Sequence, residues 1–179
     1  MIDASSSLTR RALLLGGAAL GIESLIPSWA RAKNSLRVGQ PAPPAVLATL
    51  DGERIATADL TGHVIILTFW ATWCGPCRQE LPILSAYAAQ HADAGLTVLG
   101  FSLDAPEDVS KVRAAAHSWH FPVGLLADSN VPGYGRIWRI PVNFTIDRRG
   151  RLIDDGWQDA QAAWTPESLE SIVTPLLAR

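Results

Sequence analysis

The chain has 179 residues, 48% of them hydrophobic and 18% charged, which allows one domain with a real core and not two comfortable ones. Its formal net charge of -2 gives no electrostatic basis for binding nucleic acid or an acidic membrane surface. It has no low-complexity tract, run of like charge or internal repeat.

The N-terminus reads as a targeting segment. Arg10 and Arg11 precede the apolar run from Ala12 to Ile22, which Glu23 interrupts. That run is shorter than the roughly 20 residues needed to cross a bilayer. A basic region, a short apolar stretch and the small-residue motif Ala30-Arg31-Ala32 describe an export signal cleaved before Lys33. The paired arginines after Thr9, the glycine-rich apolar stretch and Arg31 near the cut resemble a twin-arginine signal. An ordinary secretory signal and an uncleaved helix are the alternatives. Residues 1–32 are therefore set apart from the domain expected over 33–179. Without them the chain loses three arginines and two acids, and the net charge moves from -2 to -3.

Residues 33–44 hold Pro41, Pro43 and Pro44 and read as an extended lead-in. Val46 to Leu50 and Arg54-Ile55 predict a hairpin, because Asp51-Gly52 suits the positive dihedrals of a tight turn. The run Val64 to Trp70 is apolar but for Thr68 and rich in β-branched and aromatic residues, so it predicts a strand buried on both faces. Gly75 to His91 has helical spacing, with a kink expected at Pro82. A second buried strand follows from Leu96 to Leu103, then a helix from Pro106 to about Trp119 with proline and acids in its first turn. Val123 to Leu126 predicts a short strand. Residues 142–147 and 152–156 predict a hairpin across Arg148-Arg149-Gly150, and Thr165-Pro166-Glu167 the start of a last helix. The alternation argues for an α/β sandwich, a central mixed sheet flanked by helices with an N-terminal β-hairpin extension.

Only two cysteines occur, Cys74 and Cys77, separated by Gly75-Pro76. A disulfide closing so small a loop removes little entropy from the unfolded chain, so it is a poor staple. A structural zinc site wants four ligands, and His63, His91, His117 and His120 have no clear ligand spacing with the pair. A redox pair explains the placement. Where an apolar strand passes into a helix, Cys74 would meet the unpaired amides and the dipole that stabilise a thiolate. Cys77, about one turn on, would be shielded and suited to resolving a mixed disulfide.

Phe69-Trp70-Ala71-Thr72-Trp73-Cys74-Gly75-Pro76-Cys77-Arg78-Gln79-Glu80-Leu81-Pro82 resembles the active site of the TlpA/ResA/DsbE branch of thioredoxin-like proteins. Val38-Gly39-Gln40-Pro41-Ala42-Pro43, Asp59-Leu60-Thr61-Gly62-His63 and Phe144 to Gly150 carry the resemblance on, over roughly residues 36–177. It implies a thioredoxin-like fold, with Cys74 as nucleophile and Cys77 as resolving cysteine. Pro141 would be a cis-proline after Ile140, its loop facing the pair and offering backbone hydrogen bonds to a substrate chain. Glu80 would assist proton transfer, the alternative being a solvated helix charge. Trp73, Ile140 and Arg139 would lie where a substrate docks.

Three departures qualify this. Thr68 stands where thioredoxins place a buried carboxylate, Arg139 where the pattern has glycine, and Val142-Asn143 follows the proline in place of threonine or glutamate. The docking residues thus weaken the case for a dedicated cytochrome c maturation reductase, which stays as the alternative. Gly-Pro between the cysteines resembles the reducing thioredoxins, near about -270 mV, rather than the oxidant DsbA near about -120 mV. The resemblance implies a periplasmic thiol–disulfide oxidoreductase, more a reductase of protein disulfides than an oxidase. It would need no cofactor beyond the Cys74–Cys77 disulfide. Its partners would be protein disulfides and a membrane electron donor of the DsbD/CcdA type, with no nucleic acid, and the chain is expected to be a monomer. A thiol peroxidase would want an arginine-assisted cysteine rather than one between Trp73 and Gly75. A copper carrier would want a methionine or histidine ligand, and Met1 is the only methionine.

Overall fold

The computed structural model describes residues 36–158 and 163–178, so the expected export signal lies outside the described residues. The hairpin forms as β1 (Val46–Ala48) and β2 (Arg54–Ala56), antiparallel, with Val46 opposite Ala56. Gly52 takes φ 89°, a conformation that a residue with a Cβ rarely adopts.

The main sheet comprises β3 (Val64–Trp70), β4 (Leu96–Ser102), β5 (Val123–Leu125), β6 (Val142–Ile146) and β7 (Leu152–Asp155). Its order is β5-β4-β3-β6-β7, parallel from β5 to β3 and antiparallel from β3 to β7. Every residue of β3 is buried, as the apolar run predicts. Ile65, Leu67 and Phe69 face one cluster with Leu47, Phe101, Tyr134 and Phe144. Val64, Ile66 and Trp70 face another, which holds both cysteines and Leu81, Leu84, Leu169 and Val173. This alternation gives the central strand apolar neighbours on both faces, an arrangement worth about 25 cal/mol per Å² buried.

Among the described residues four α-helices accompany the sheet: α1 (Gly75–His91), α2 (Val109–Ala116), α3 (Pro166–Ile172) and α4 (Thr174–Leu177). Pro82 lies inside α1, and the helix continues through it as one element. Proline has no N–H, so the Arg78 carbonyl loses its partner one turn on. The expected helix at 106–119 is shorter, because Pro106–Asp108 forms a 3-10 turn and α2 ends at Ala116. At the start of α3 the Thr165 hydroxyl accepts from Ser168 N–H at 3.2 Å, and Ser168 Oγ accepts from Thr165 N–H at 2.9 Å. This reciprocal cap fixes the entry to α3, and with it Trp164. The architecture is the predicted mixed sheet flanked by helices with an N-terminal hairpin.

Candidate active site

β3 and β4 run parallel in the centre of the sheet and end together, Trp70 opposite Ser102, so the loop after β3 starts α1 beside the end of β4. Three hydrogen bonds to one carboxylate hold that loop. Asp104 is buried and accepts from Thr72 N–H at 2.8 Å, Thr72 Oγ1 at 2.5 Å and Ser102 Oγ at 2.6 Å. Thr72 is two residues before Cys74, so Asp104 fixes the approach to the cysteines. No short motif marks this contact, which joins residues 32 apart.

Cys74 and Cys77 form a disulfide with Cα atoms 5.3 Å apart. Cys74 is the N-cap of α1, and its Sγ accepts from Cys77 N–H at 3.2 Å. The sulfur thus sits where helix amides are unpaired and the dipole is positive, which favours a thiolate. Cys74 is 5% exposed and Cys77 fully buried. Trp73, next to the pair, is 66% exposed.

Glu80 is three residues beyond Cys77, on the same face of α1. It is only 1% exposed, which overturns the solvated-charge alternative. One carboxylate oxygen accepts from Trp164 N–H at 2.6 Å and from the Asn143 amide at 3.3 Å. Thr68 lies opposite Asn143 across the β3–β6 ladder. Its hydroxyl is buried there without a well-formed hydrogen bond, so its pull on the carboxylate is the weakest. Burial outweighs all these bonds and pushes the Glu80 carboxyl up from 4.5 to about 7. Three chain segments, from β3, β6 and the entry to α3, therefore enclose a carboxyl one helical turn from a cysteine.

The Ile140–Pro141 peptide bond is cis. Ile140 packs against both apolar clusters, one of which includes Cys74 and Cys77, and Val142 pairs with Phe69, so the loop enters β6 at the end of the sheet where β3 leaves for the cysteines. Arg139, expected where a substrate docks, has its guanidinium engaged by the protein itself. Its guanidinium donates to the carbonyls of Gly156 at 2.5 Å and Trp157 at 3.0 Å. It also lies over the rings of Trp138 and Trp157, 5.5 and 5.7 Å from their centroids. Trp138, which the sequence reading passes over, is 72% exposed. Asn143, marked in the sequence only as a departure after the proline, proves to donate to Glu80, while Trp164 and Asp104 carry no sequence signal of their roles.

The pattern of the AhpC/TSA family matches residues 38–154. Thioredoxin-like protein YneN of Bacillus subtilis is 33% identical over 138 residues, covering 73% of this chain and 78% of its own length. Thiol-disulfide oxidoreductase ResA of Bacillus thuringiensis is 27% identical over 142 residues, covering 79% of this chain and 82% of its own. A crystal structure from Chlorobium tepidum, assigned as thiol:disulfide interchange protein DsbE, superposes with a TM-score of 0.67 at 31% identity. That alignment covers 80% of this chain and 99% of the other.

Proposed function

The chain belongs to the AhpC/TSA family, in its ResA/DsbE-like branch of thiol–disulfide oxidoreductases, and from that premise we propose that it reduces protein disulfides outside the cytoplasm. The reduced pair attacks first through Cys74. Its thiolate bonds to one substrate sulfur, and the other substrate sulfur leaves as a thiolate that takes up a proton. Cys77 then gives up its proton and attacks the Cys74 sulfur of the mixed disulfide. The substrate departs as a dithiol and the Cys74–Cys77 disulfide remains, two electrons having passed to the substrate. Glu80, buried beside Cys77, is the group to take the Cys77 proton; titrating near neutrality, it can hold or release one at working pH.

One observation carries the reducing direction: the buried Glu80 carboxyl one turn from Cys77. A strong oxidant has its reduced form stabilised as thiolate. The helix N-terminus stabilises a Cys74 thiolate, but a carboxylate in a low-dielectric pocket opposes negative charge on Cys77. The disulfide is then the favoured product, which suits a donor of electrons. A dithiol donor would return the pair to the reduced state. The expected export signal at 1–32 supports an extracytoplasmic location, and it predicts a mature chain that starts at Lys33 by N-terminal sequencing. Cys77 already engages Cys74 through the helix cap, which favours disulfide exchange over peroxide chemistry.

Equilibration with glutathione tests the direction. A potential below about -200 mV is expected, and one near about -120 mV would overturn the reading. A Cys77→Ala chain expressed in the native compartment should retain its client on Cys74. An apocytochrome c as the sole captured client would favour the narrower maturation role.

A further inference from the structure

Among the described residues four large apolar side chains are exposed, and the two aromatic ones stand on the segments that leave β3 and enter β6, paired neighbours, at the same end of the sheet. Trp73 directly precedes Cys74. Trp138 is two residues ahead of Ile140, which packs against both apolar clusters, and three ahead of the cis-proline. A loop indole left to itself would fold back onto apolar surface. Trp138 is instead held out as a plate. It stacks on Trp157, with centroids 5.7 Å apart and planes 11° from parallel. The Arg139 guanidinium spans both rings and is tied to the Gly156 and Trp157 carbonyls. Trp157 is anchored in turn, its Nε1–H donating to the Tyr134 carbonyl at 2.9 Å and its ring meeting Phe144 edge-on. A ring fixed in this way loses little entropy when a ligand stacks on it.

The charges on the same segments have one sign. Residues 71–79 and 131–143 carry Arg78, Arg136 and Arg139 and no aspartate or glutamate. Arg78 and Arg136 are exposed, whereas Glu80, the next acid along α1, is buried.

We infer that Trp138 is a specificity-determining residue and Arg139 its positioning residue, so that the site selects disulfides whose reacting cysteine has an aromatic or apolar neighbour and a carboxylate. The neighbour stacks on Trp138 and the carboxylate faces Arg78 and Arg136. The bond changes are those of the exchange given above, and the inference rests on that reading of the chain as a reductase.

Two peptides test it, each with one cysteine in a mixed disulfide with glutathione. One has Phe and Asp beside the cysteine, the other Ser and Lys. The pre-reduced full chain is mixed with each in a single turnover, and released glutathione is followed by chromatography. The Phe-Asp peptide should react about tenfold faster. Trp138→Ala should bring the ratio of the two rates close to one, and Trp138→Phe should restore much of it. Arg139→Ala should lower the ratio and Arg139→Lys recover only part, because an ammonium cannot span two rings and two carbonyls. Equal rates with the unaltered chain, or an equal loss on both peptides in Trp138→Ala, would overturn the assignment. Failure of the unaltered chain to reduce either peptide would overturn the reductase reading, and this assignment with it.

Discussion

Trp73 and Arg78, which flank the cysteine pair, and Trp138 and Arg136, on the segment leading into β6, are exposed and form an outer set; three residues beyond Cys77 lies an inner, closed pocket where Glu80, Asn143, Thr68 and the Trp164 amide meet. The two regions differ in access to water. On the outer side water leaves the arginines charged and the rings free to be covered, so this side suits recognition. On the inner side the lack of water moves a carboxyl into the neutral range, so this side suits proton handling. Burial, more than residue type, separates binding from chemistry here.

The largest expected effect comes from separating the two sulfurs. Cys74→Ser should lower single-turnover reduction of a disulfide by at least about a thousandfold, since the thiolate is the attacking group. Cys77→Ala should still form the mixed disulfide and stop there. Mass spectrometry of the protein–substrate adduct distinguishes the two, and equal trapping by both variants would refute the division of roles.

The inner side can be probed through pH. The folded state raises the Glu80 carboxyl from 4.5 to about 7, so the neutral form is preferred on folding. The stability tied to that proton is fully present below about pH 4.5 and is lost as pH rises through about 7. Glu80→Gln cannot ionise, so it should exceed the parent by on the order of 3 kcal/mol at pH 8 and lose that advantage by pH 4. Denaturant titration at both values measures this. A gap independent of pH would mean that Glu80 is not the titrating group.

A smaller effect should follow from loosening the outer side alone. Asp104→Ala removes the acceptor of three donors and should cost about 2 kcal/mol of stability. It should also slow attack by Cys74 while the pH midpoint tied to Glu80 stays near 7. If that midpoint moved as well, the two sides would be coupled through the loop.

The parts legible in the sequence were local. The apolar run of β3, the Asp51-Gly52 turn, the helix that begins at the cysteines and the capped start at Thr165 each follow from a few adjacent residues. Glu80 was legible as a candidate by resemblance, but its burial was not. The pocket that buries it brings Asn143 and Trp164 from 63 and 84 residues away. The contacts of Arg139 were hidden in a different way. A cation beside a docking loop invites a functional reading, yet its position beside carbonyls and rings draws the guanidinium back onto the protein. Trp138 becomes the exposed neighbour as a result. The available signal was a tryptophan three residues before the cis-proline, too large for a solvent-facing loop without a supporting partner.

The Trp164 contact offers a built-in observer of the site. The group that holds Glu80 there is a main-chain N–H, 2.6 Å from the carboxylate oxygen. Its bond to a charged acceptor is shorter and stronger than to a neutral one, so its proton resonance should move as Glu80 gains or loses charge. Following that one amide in the oxidised and reduced chain would show when the buried proton moves, with no label introduced near the sulfurs.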